Sequence, residues 1–185
     1  MAEFLKNINT DWTLFLDRDG VLNERIYGGY VNTSEGFKFL PGVLESMSVF
    51  ASFFGKIIVV TNQQGVGKGE MTESELENIH RYMKAEIARA GGRLDAIYCC
   101  TDLATKKEHC RKPGIYLAMQ AKKDFPEIDF QKSIMVGDTK SDMEFGRNSG
   151  MLNVLVGNEK VPENLVHLYA LDLLDFSRMI LKTQI

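Results

Sequence analysis

Short apolar runs recur along the chain with amphipathic stretches between them, and this alternation constrains the fold more than any other feature. The runs are Trp12–Leu16, Lys56–Val60, Ala96–Cys100, Ser133–Val136 and Asn153–Val156, with a shorter sixth at Leu168–Ala170. Runs of this length suit strands buried on both faces. The intervening stretches carry helical periodicity. Pro41 and Gly42 open one that runs to about Phe54, with Val43, Leu44, Met47 and Phe50 on one face. Thr72-Glu73-Ser74-Glu75 is a capping box, followed by the stripe Leu76, Ile79, Met83 and Ile87, and Gly91-Gly92 ends that helix. Three more are expected over about Gly114–Lys123, Ser141–Asn148 and Leu173–Leu181. Alternating strands and helices predict an α/β fold, a parallel sheet with helices on both faces. No repeat, low-complexity tract or linker divides the 185 residues, so a single domain over 1–185 is expected.

Charge and composition narrow the function. Lys plus Arg number 22 against 25 Asp plus Glu, a formal net charge of −3, which offers no electrostatic footprint for nucleic acid or an anionic membrane. No apolar run reaches the roughly 18 residues of a membrane span. The first ten residues carry Glu3, Lys6 and Asn7 and lack the apolar core of a signal peptide. Three cysteines, with Cys99 and Cys100 adjacent, do not make a disulfide framework. The expectation is a cytoplasmic monomer acting on a small molecule.

In open α/β sheets ligands bind beyond the carboxyl ends of the strands. Nearly every chemically capable residue lies there: Asp17-Arg18-Asp19-Gly20, Thr61-Asn62-Gln63-Gln64, Arg111-Lys112 and Gly137-Asp138-Thr139. In an extended segment residues i and i+2 face the same side, so Asp17 and Asp19 can share one site. Two like charges so close are costly without a cation between them. With Asp138 as a third carboxylate, the set suits Mg²⁺, a hard ion that prefers oxygen. Thr61 adds a hydroxyl, Lys112 a compact positive charge, and the loop amides further anion donors. Mg²⁺, an ammonium and a hydroxyl around a carboxylate make a phosphoryl-transfer site.

Each piece alone has a plainer reading. Asp-x-Asp-Gly is often a turn or a calcium-loop fragment, but an EF-hand needs Glu at loop position 12, where this chain has Gly28. Thr61-Asn62 could be a turn, Lys112 a solvated cation, and Asp138 or the Thr139–Asp142 pair a helix cap. Gly65-Val66-Gly67-Lys68-Gly69 does not complete a Walker A loop, because Asn62 and Gly69 stand where Gly and Ser or Thr are required. His80, on a helix flank, and His167 read as structural or solvated. Four strand-end matches in order, however, outweigh the separate readings.

That order resembles the haloacid dehalogenase-like phosphohydrolase superfamily, through Phe15–Asn23 (FLDRDGVLN), Val59–Gly65 (VVTNQQG), Cys110–Gly114 (CRKPG) and Met135–Asp142 (MVGDTKSD). The resemblance implies a Rossmann-like fold, with Asp17 as nucleophile and Asp19 as general acid/base. It also implies that Thr61 and Lys112 hold the phosphoryl group, and that Asp17, the Asp19 carbonyl and Asp138 hold Mg²⁺. The first step would need Asp19 neutral. A signalling receiver domain shares several of these groups but would lack Asp19. The segments 20–60 and 62–111 are too short for a folded cap, so a capless member is expected.

Within capless members the chain is most similar to the D-glycero-D-manno-heptose 1,7-bisphosphate 7-phosphatase family, with the histidinol-phosphate phosphatase branch as neighbour. This resemblance implies a phosphorylated sugar substrate contacted by Thr61, Asn62, Gln63, Gln64, Arg111 and Lys112. The planar fork of Arg111 suits a second phosphate. Two departures stand out. The family's zinc loop is reduced here to Cys100 and Cys110, with Asp102 and Glu108 in the other two positions, which argues against structural Zn²⁺ and for a metal-free loop with idle thiols. Thr139 stands where the family commonly has Lys, and Lys140 lies one position later.

Overall fold

The computed structural model describes residues 2–183. Six strands form one sheet: β1 (Thr13–Leu16), β2 (Lys56–Asn62), β3 (Ala96–Cys100), β4 (Ser133–Gly137), β5 (Leu152–Val156) and β6 (Leu168–Ala170). They lie in the order β3-β2-β1-β4-β5-β6, and every neighbouring pair is parallel. The helices are α1 (Val43–Phe53), the single turn α2 (Gln64–Gly67), α3 (Glu73–Arg89), α4 (Tyr116–Asp124), α5 (Lys140–Ser149) and α6 (Leu173–Thr183). The chain reverses direction across the sheet between β1 and β4, where ligand crevices form in such sheets. No cap domain interrupts the fold among the described residues, and none of its helices is long and apolar enough to cross a membrane.

Strand alternation divides the core. Leu14, Leu16, Ile57, Val59, Ile134 and Val136 pack on one face with Met47, Phe50, Ile79, Met83 and Phe176. Phe15, Ile58, Val60 and Met135 face the other, against Leu117, Ala118, Ala121 and Phe145. Leu5 and Ile8 are buried in the first cluster, which ties the N-terminal segment to the domain. The expected capping box is present: Glu75 N donates to Thr72 Oγ1 at 3.1 Å and Thr72 N to Glu75 Oε2 at 2.7 Å.

The structure differs from the sequence reading in three places. β2 runs two residues past Val60, because Thr61 and Asn62 pair with Cys99 and Cys100 of β3. Thr61 is thus held on a strand rather than in a turn. The turn α2 was not expected at all. The third correction concerns the cysteines: Cys100 and Cys110 are not idle thiols but a disulfide, their Cα atoms 5.5 Å apart, and Cys99 is the free one. The odd count hid a pair that the loop between β3 and Arg111 brings together.

Phe50 is fully buried, with Phe54 and Phe176 rings at 6.0 and 5.5 Å. Phe50→Ala should lower the unfolding free energy by about 3–5 kcal/mol. Thr72→Ala should lower it by only about 1 kcal/mol. Urea titration of both variants checks the ranking.

Candidate active site

The four strand-end segments converge on one cavity of about 700 Å³, lined by Asp17, Asp19, Thr61, Asn62, Gln63, Gln64, Arg111 and Lys112 among others. Asp17 directly follows β1, its N–H donating to the Val136 carbonyl at 3.0 Å. That bond fixes the first acidic strand end beside the fourth. Lys112 is buried, and its Nζ donates to Asp17 Oδ1 at 2.8 Å, Asp142 Oδ1 at 2.6 Å and the Val60 carbonyl at 2.8 Å. Every donor position of the ammonium is therefore used. Burial acts to lower the Lys112 pKa, but the charges of Asp142 and Asp17 outweigh it and hold it above the usual lysine range.

Thr61, Gln63 and Asn62 are already engaged. Gln63 Nε2 donates to Asp19 Oδ2 at 2.7 Å and to Thr61 Oγ1 at 2.9 Å. The Asn62 carboxamide clasps the Lys112 backbone, accepting from its N–H at 3.0 Å and donating to its carbonyl at 3.2 Å. Gln64 accepts from the Ala104 N–H at 3.3 Å, and Arg111 Nη1 donates to the Asp102 carbonyl at 3.3 Å. The first bond joins the β2 end to the loop that follows β3, and the second closes that loop on itself.

Asp19 sits in a different environment from Asp17. Arg18 Nη2 lies 3.0 Å from both of its carboxylate oxygens, and Asn23 Nδ2 donates to Oδ1 at 2.9 Å. Burial acts to raise the Asp19 pKa, but the Arg18 charge and the bonds from Arg18, Asn23 and Gln63 outweigh it and leave it below the usual carboxylate range. The structure thus favours the ionised form, a balance that the sequence left open, although the first step would need Asp19 neutral. Burial pushes Asp17 the other way, up to about 6, against the pull of Lys112. Asp138 is pushed up to about 7 by burial and by the Asp17 charge.

The oxygens of the expected metal site are grouped around a cation of the chain itself. Arg25 Nη2 donates to the Asp19 carbonyl at 2.6 Å and to Asp138 Oδ1 at 2.7 Å, and lies 3.7 Å from Asp17 Oδ2. A donor set made only of oxygens, already gathered about one positive group, fits a hard divalent ion. Ligand oxygens of Asp17, Asp138 and Asp142 also lie within 4.8 Å of one another. Gly20 is required beside them: its φ is +96°, and a Cβ there would stand 2.1 Å from Asp138 Oδ2.

Sequence reasoning missed Asp142 as a site residue, reading it only as a cap. Its Oδ2 does accept from Thr139 N–H and Oγ1, at 3.1 and 2.6 Å, while Oδ1 reaches Lys112. One carboxylate serves both roles, a pairing that spacing alone does not show. Arg18, Asn23 and Arg25 were missed as well, although the first two lie within the quoted Phe15–Asn23 motif. Lys140 is exposed and pairs with Glu144 at 3.3 Å. In the reduced zinc loop, Asp102 Oδ2 accepts from the Cys110 N–H at 3.1 Å, and Glu108 is exposed. With both sulfurs in the disulfide, no thiolate there is free for a metal.

This parallel sheet, with its acidic strand end facing a buried lysine, defines a hydrolase of the haloacid dehalogenase-like class. A family model described as HAD-hydrolase-like matches residues 109–171. The D-glycero-alpha-D-manno-heptose-1,7-bisphosphate 7-phosphatase of Mycobacterium bovis is 37% identical over 137 residues, covering 74% of this chain and 72% of that protein. The D-glycero-beta-D-manno-heptose-1,7-bisphosphate 7-phosphatase of Helicobacter pylori is 37% identical over 150 residues, 80% of this chain and 85% of that one. Among solved structures, the D,D-heptose 1,7-bisphosphate phosphatase from B. bronchiseptica, complexed with magnesium and phosphate, matches with a TM-score of 0.83. It is 26% identical, over 92% of this chain and 98% of that one. The chain belongs to the family of heptose bisphosphate phosphatases.

Arg25 and a divalent ion would compete for the same oxygens. Arg25→Gln should therefore tighten Mg²⁺ binding about tenfold, roughly 1.4 kcal/mol, in isothermal titration calorimetry. Unchanged or weaker binding would show that Arg25 does not oppose the ion.

Proposed function

We propose that the protein is a Mg²⁺-dependent phosphomonoesterase that removes the 7-phosphate of D-glycero-D-manno-heptose 1,7-bisphosphate through an aspartyl-phosphate on Asp17, acting as a cytoplasmic monomer. The observation that carries the reading is the convergence of Asp17, Asp19 and buried Lys112 on one cavity, with Asp138 linked to Asp17 through Arg25. The family membership agrees with it. Asp17, the Asp19 carbonyl and Asp138 would hold Mg²⁺, which when bound offsets the charge of the transferring phosphoryl group.

The chain's own residues divide the work. A carboxylate oxygen of Asp17 forms a bond to phosphorus while the bond from phosphorus to the sugar oxygen breaks. Asp19, in the protonated form that the second step regenerates, supplies the proton that the departing oxygen takes up, although its surroundings favour the ionised form before substrate arrives. Water then attacks the phosphorus, passes its proton to Asp19, and releases Asp17 as a carboxylate with inorganic phosphate. Lys112 keeps its charge throughout and stabilises the spread negative charge of the phosphoryl group, with the Thr61 hydroxyl as a further donor. Asn62 fixes the Lys112 backbone, so the ammonium is placed before substrate arrives.

A second phosphate needs a second cationic patch, and the same cavity has one. Lys68 and Arg111 both line it, and Lys68 Nζ stands 5.4 Å from the Tyr30 ring. These groups lie on the loops after β2 and β3, which suits recognition by loops rather than by a cap. Lys68→Ala and Arg111→Ala should each raise KM for the bisphosphate about tenfold. They should leave 4-nitrophenyl phosphate within about twofold, because it lacks the second phosphate.

Asp17→Asn should abolish phosphate release with an unchanged circular dichroism spectrum; retained turnover would exclude the covalent route. Substrate choice is tested by kcat/KM for heptose 1,7-bisphosphate, as both anomers, against histidinol phosphate. A preference for the bisphosphate of about a hundredfold or more is expected. A preference for histidinol phosphate would keep the chemistry and overturn the substrate.

A further inference from the structure

Between the two aspartates of the first strand end lies Arg18, the largest fully buried side chain among the described residues. Strand alternation sends it to the side opposite Asp17, beneath the Phe37 ring at 6.0 Å and against α3. A guanidinium cannot lose its charge there, so it needs acceptors. Among the described residues its side chain has two: the Asp19 carboxylate at 3.0 Å and the imidazole of His80 on α3, whose Nε2 is 3.3 Å from Nη1. Its Nε has none. The Arg18 backbone is independently fixed, since its carbonyl accepts from the N–H groups of Val21, Leu22 and Asn23. The side chain is thus aimed by Asp19 at one corner and His80 at the other.

Geometry assigns the imidazole a definite form. To accept from Nη1 it must be neutral, with its proton on Nδ1. Burial, together with the Arg18 charge, pushes the His80 pKa down to about 4, so the neutral ring is the form present at pH 7. Asp19, in turn, is oriented by three donors, of which Arg18 alone is charged.

We propose that His80 is a positioning residue for the acid–base step: its imidazole accepts from Arg18 and so fixes the guanidinium that orients the Asp19 carboxylate. Without that acceptor, a buried charged group has two unsatisfied nitrogens and is free to rotate about its long stem. Asp19 then loses its aim. Small misplacements of a catalytic group are expensive in rate. The inference rests on the phosphatase reading, because it concerns proton delivery to a leaving oxygen.

The test compares His80→Leu, which fills the space without an acceptor, and His80→Gln, which restores one, against the wild type. Two substrates are used with Mg²⁺ at saturation: heptose 1,7-bisphosphate, whose alkoxide leaving group needs the proton, and 4-nitrophenyl phosphate, whose phenolate does not. H80L should lower the first-turnover rate of leaving-group release about tenfold for the sugar phosphate and by about twofold or less for the aryl phosphate, while hydrolysis of the aspartyl-phosphate, where Asp19 takes the proton of water, slows alike for both. Both KM values should stay within about twofold, and H80Q should recover most of the loss. Equal losses in leaving-group release from the two substrates, no loss on either, or an H80Q as impaired as H80L would each overturn the positioning role. A lowered Tm with intact kcat would overturn it too, by assigning His80 to stability alone. Wild-type protein that releases phosphate from neither substrate would instead overturn the phosphatase reading, and the role of His80 with it.

Discussion

Everything in the site is built around one buried ammonium. Lys112 Nζ is held by Asp17, Asp142 and the Val60 carbonyl, with 2% of its side chain exposed. A buried cation is tolerated only when its partners are close and complete, and removing one partner typically costs about 3–5 kcal/mol. The three partners come from three places in the sequence: the end of β1, the first turn of α5 and the last part of β2. Folding the sheet and assembling the charge cluster are therefore one event. The arrangement leaves Asp17, the nucleophile we propose, beside a fixed positive charge before any substrate binds, which is the electrostatic preorganisation that phosphoryl transfer depends on.

A second cluster, around Asp19, is built on the opposite logic. Burial pushes Asp17 and Asp138 up, with the Asp142 charge adding at the first and the Asp17 charge at the second, while Arg18, Asn23 and Gln63 hold Asp19 below the usual carboxylate range. Two carboxylates two residues apart thus acquire different proton affinities from their surroundings. Arg25 adds a third feature. It sits among the oxygens that fit a divalent ion, so the carboxylates have a positive neighbour from the chain itself.

Much of this was legible in the sequence, for a physical reason. Strand ends are where a parallel sheet presents its polar groups, so the period of the apolar runs located the site before any side chain was placed. The capping box at Thr72, the alternation of strands and helices, the grouping of Asp17, Asp19, Thr61 and Lys112 on one cavity and the place of Asp138 close to Asp17 all followed from local rules. What escaped were partnerships between residues distant in the chain. Arg18 with His80, Arg25 with Asp138, and Asp142 with Lys112 are separated by 62, 113 and 30 positions. No periodicity links such pairs. The Cys100–Cys110 bond was hidden for another reason, since an odd number of cysteines is a poor guide when one of them is left free.

The central claim is that Asp17 becomes covalently phosphorylated during turnover. The direct measurement is rapid acid quench of the wild-type enzyme with substrate, followed by borohydride reduction and peptide mass spectrometry. An aspartyl-phosphate is reduced to homoserine, so the account predicts that mass change at position 17 alone, and none in Asp17→Asn. Steady turnover with no modified residue, or modification at a different aspartate, would contradict it.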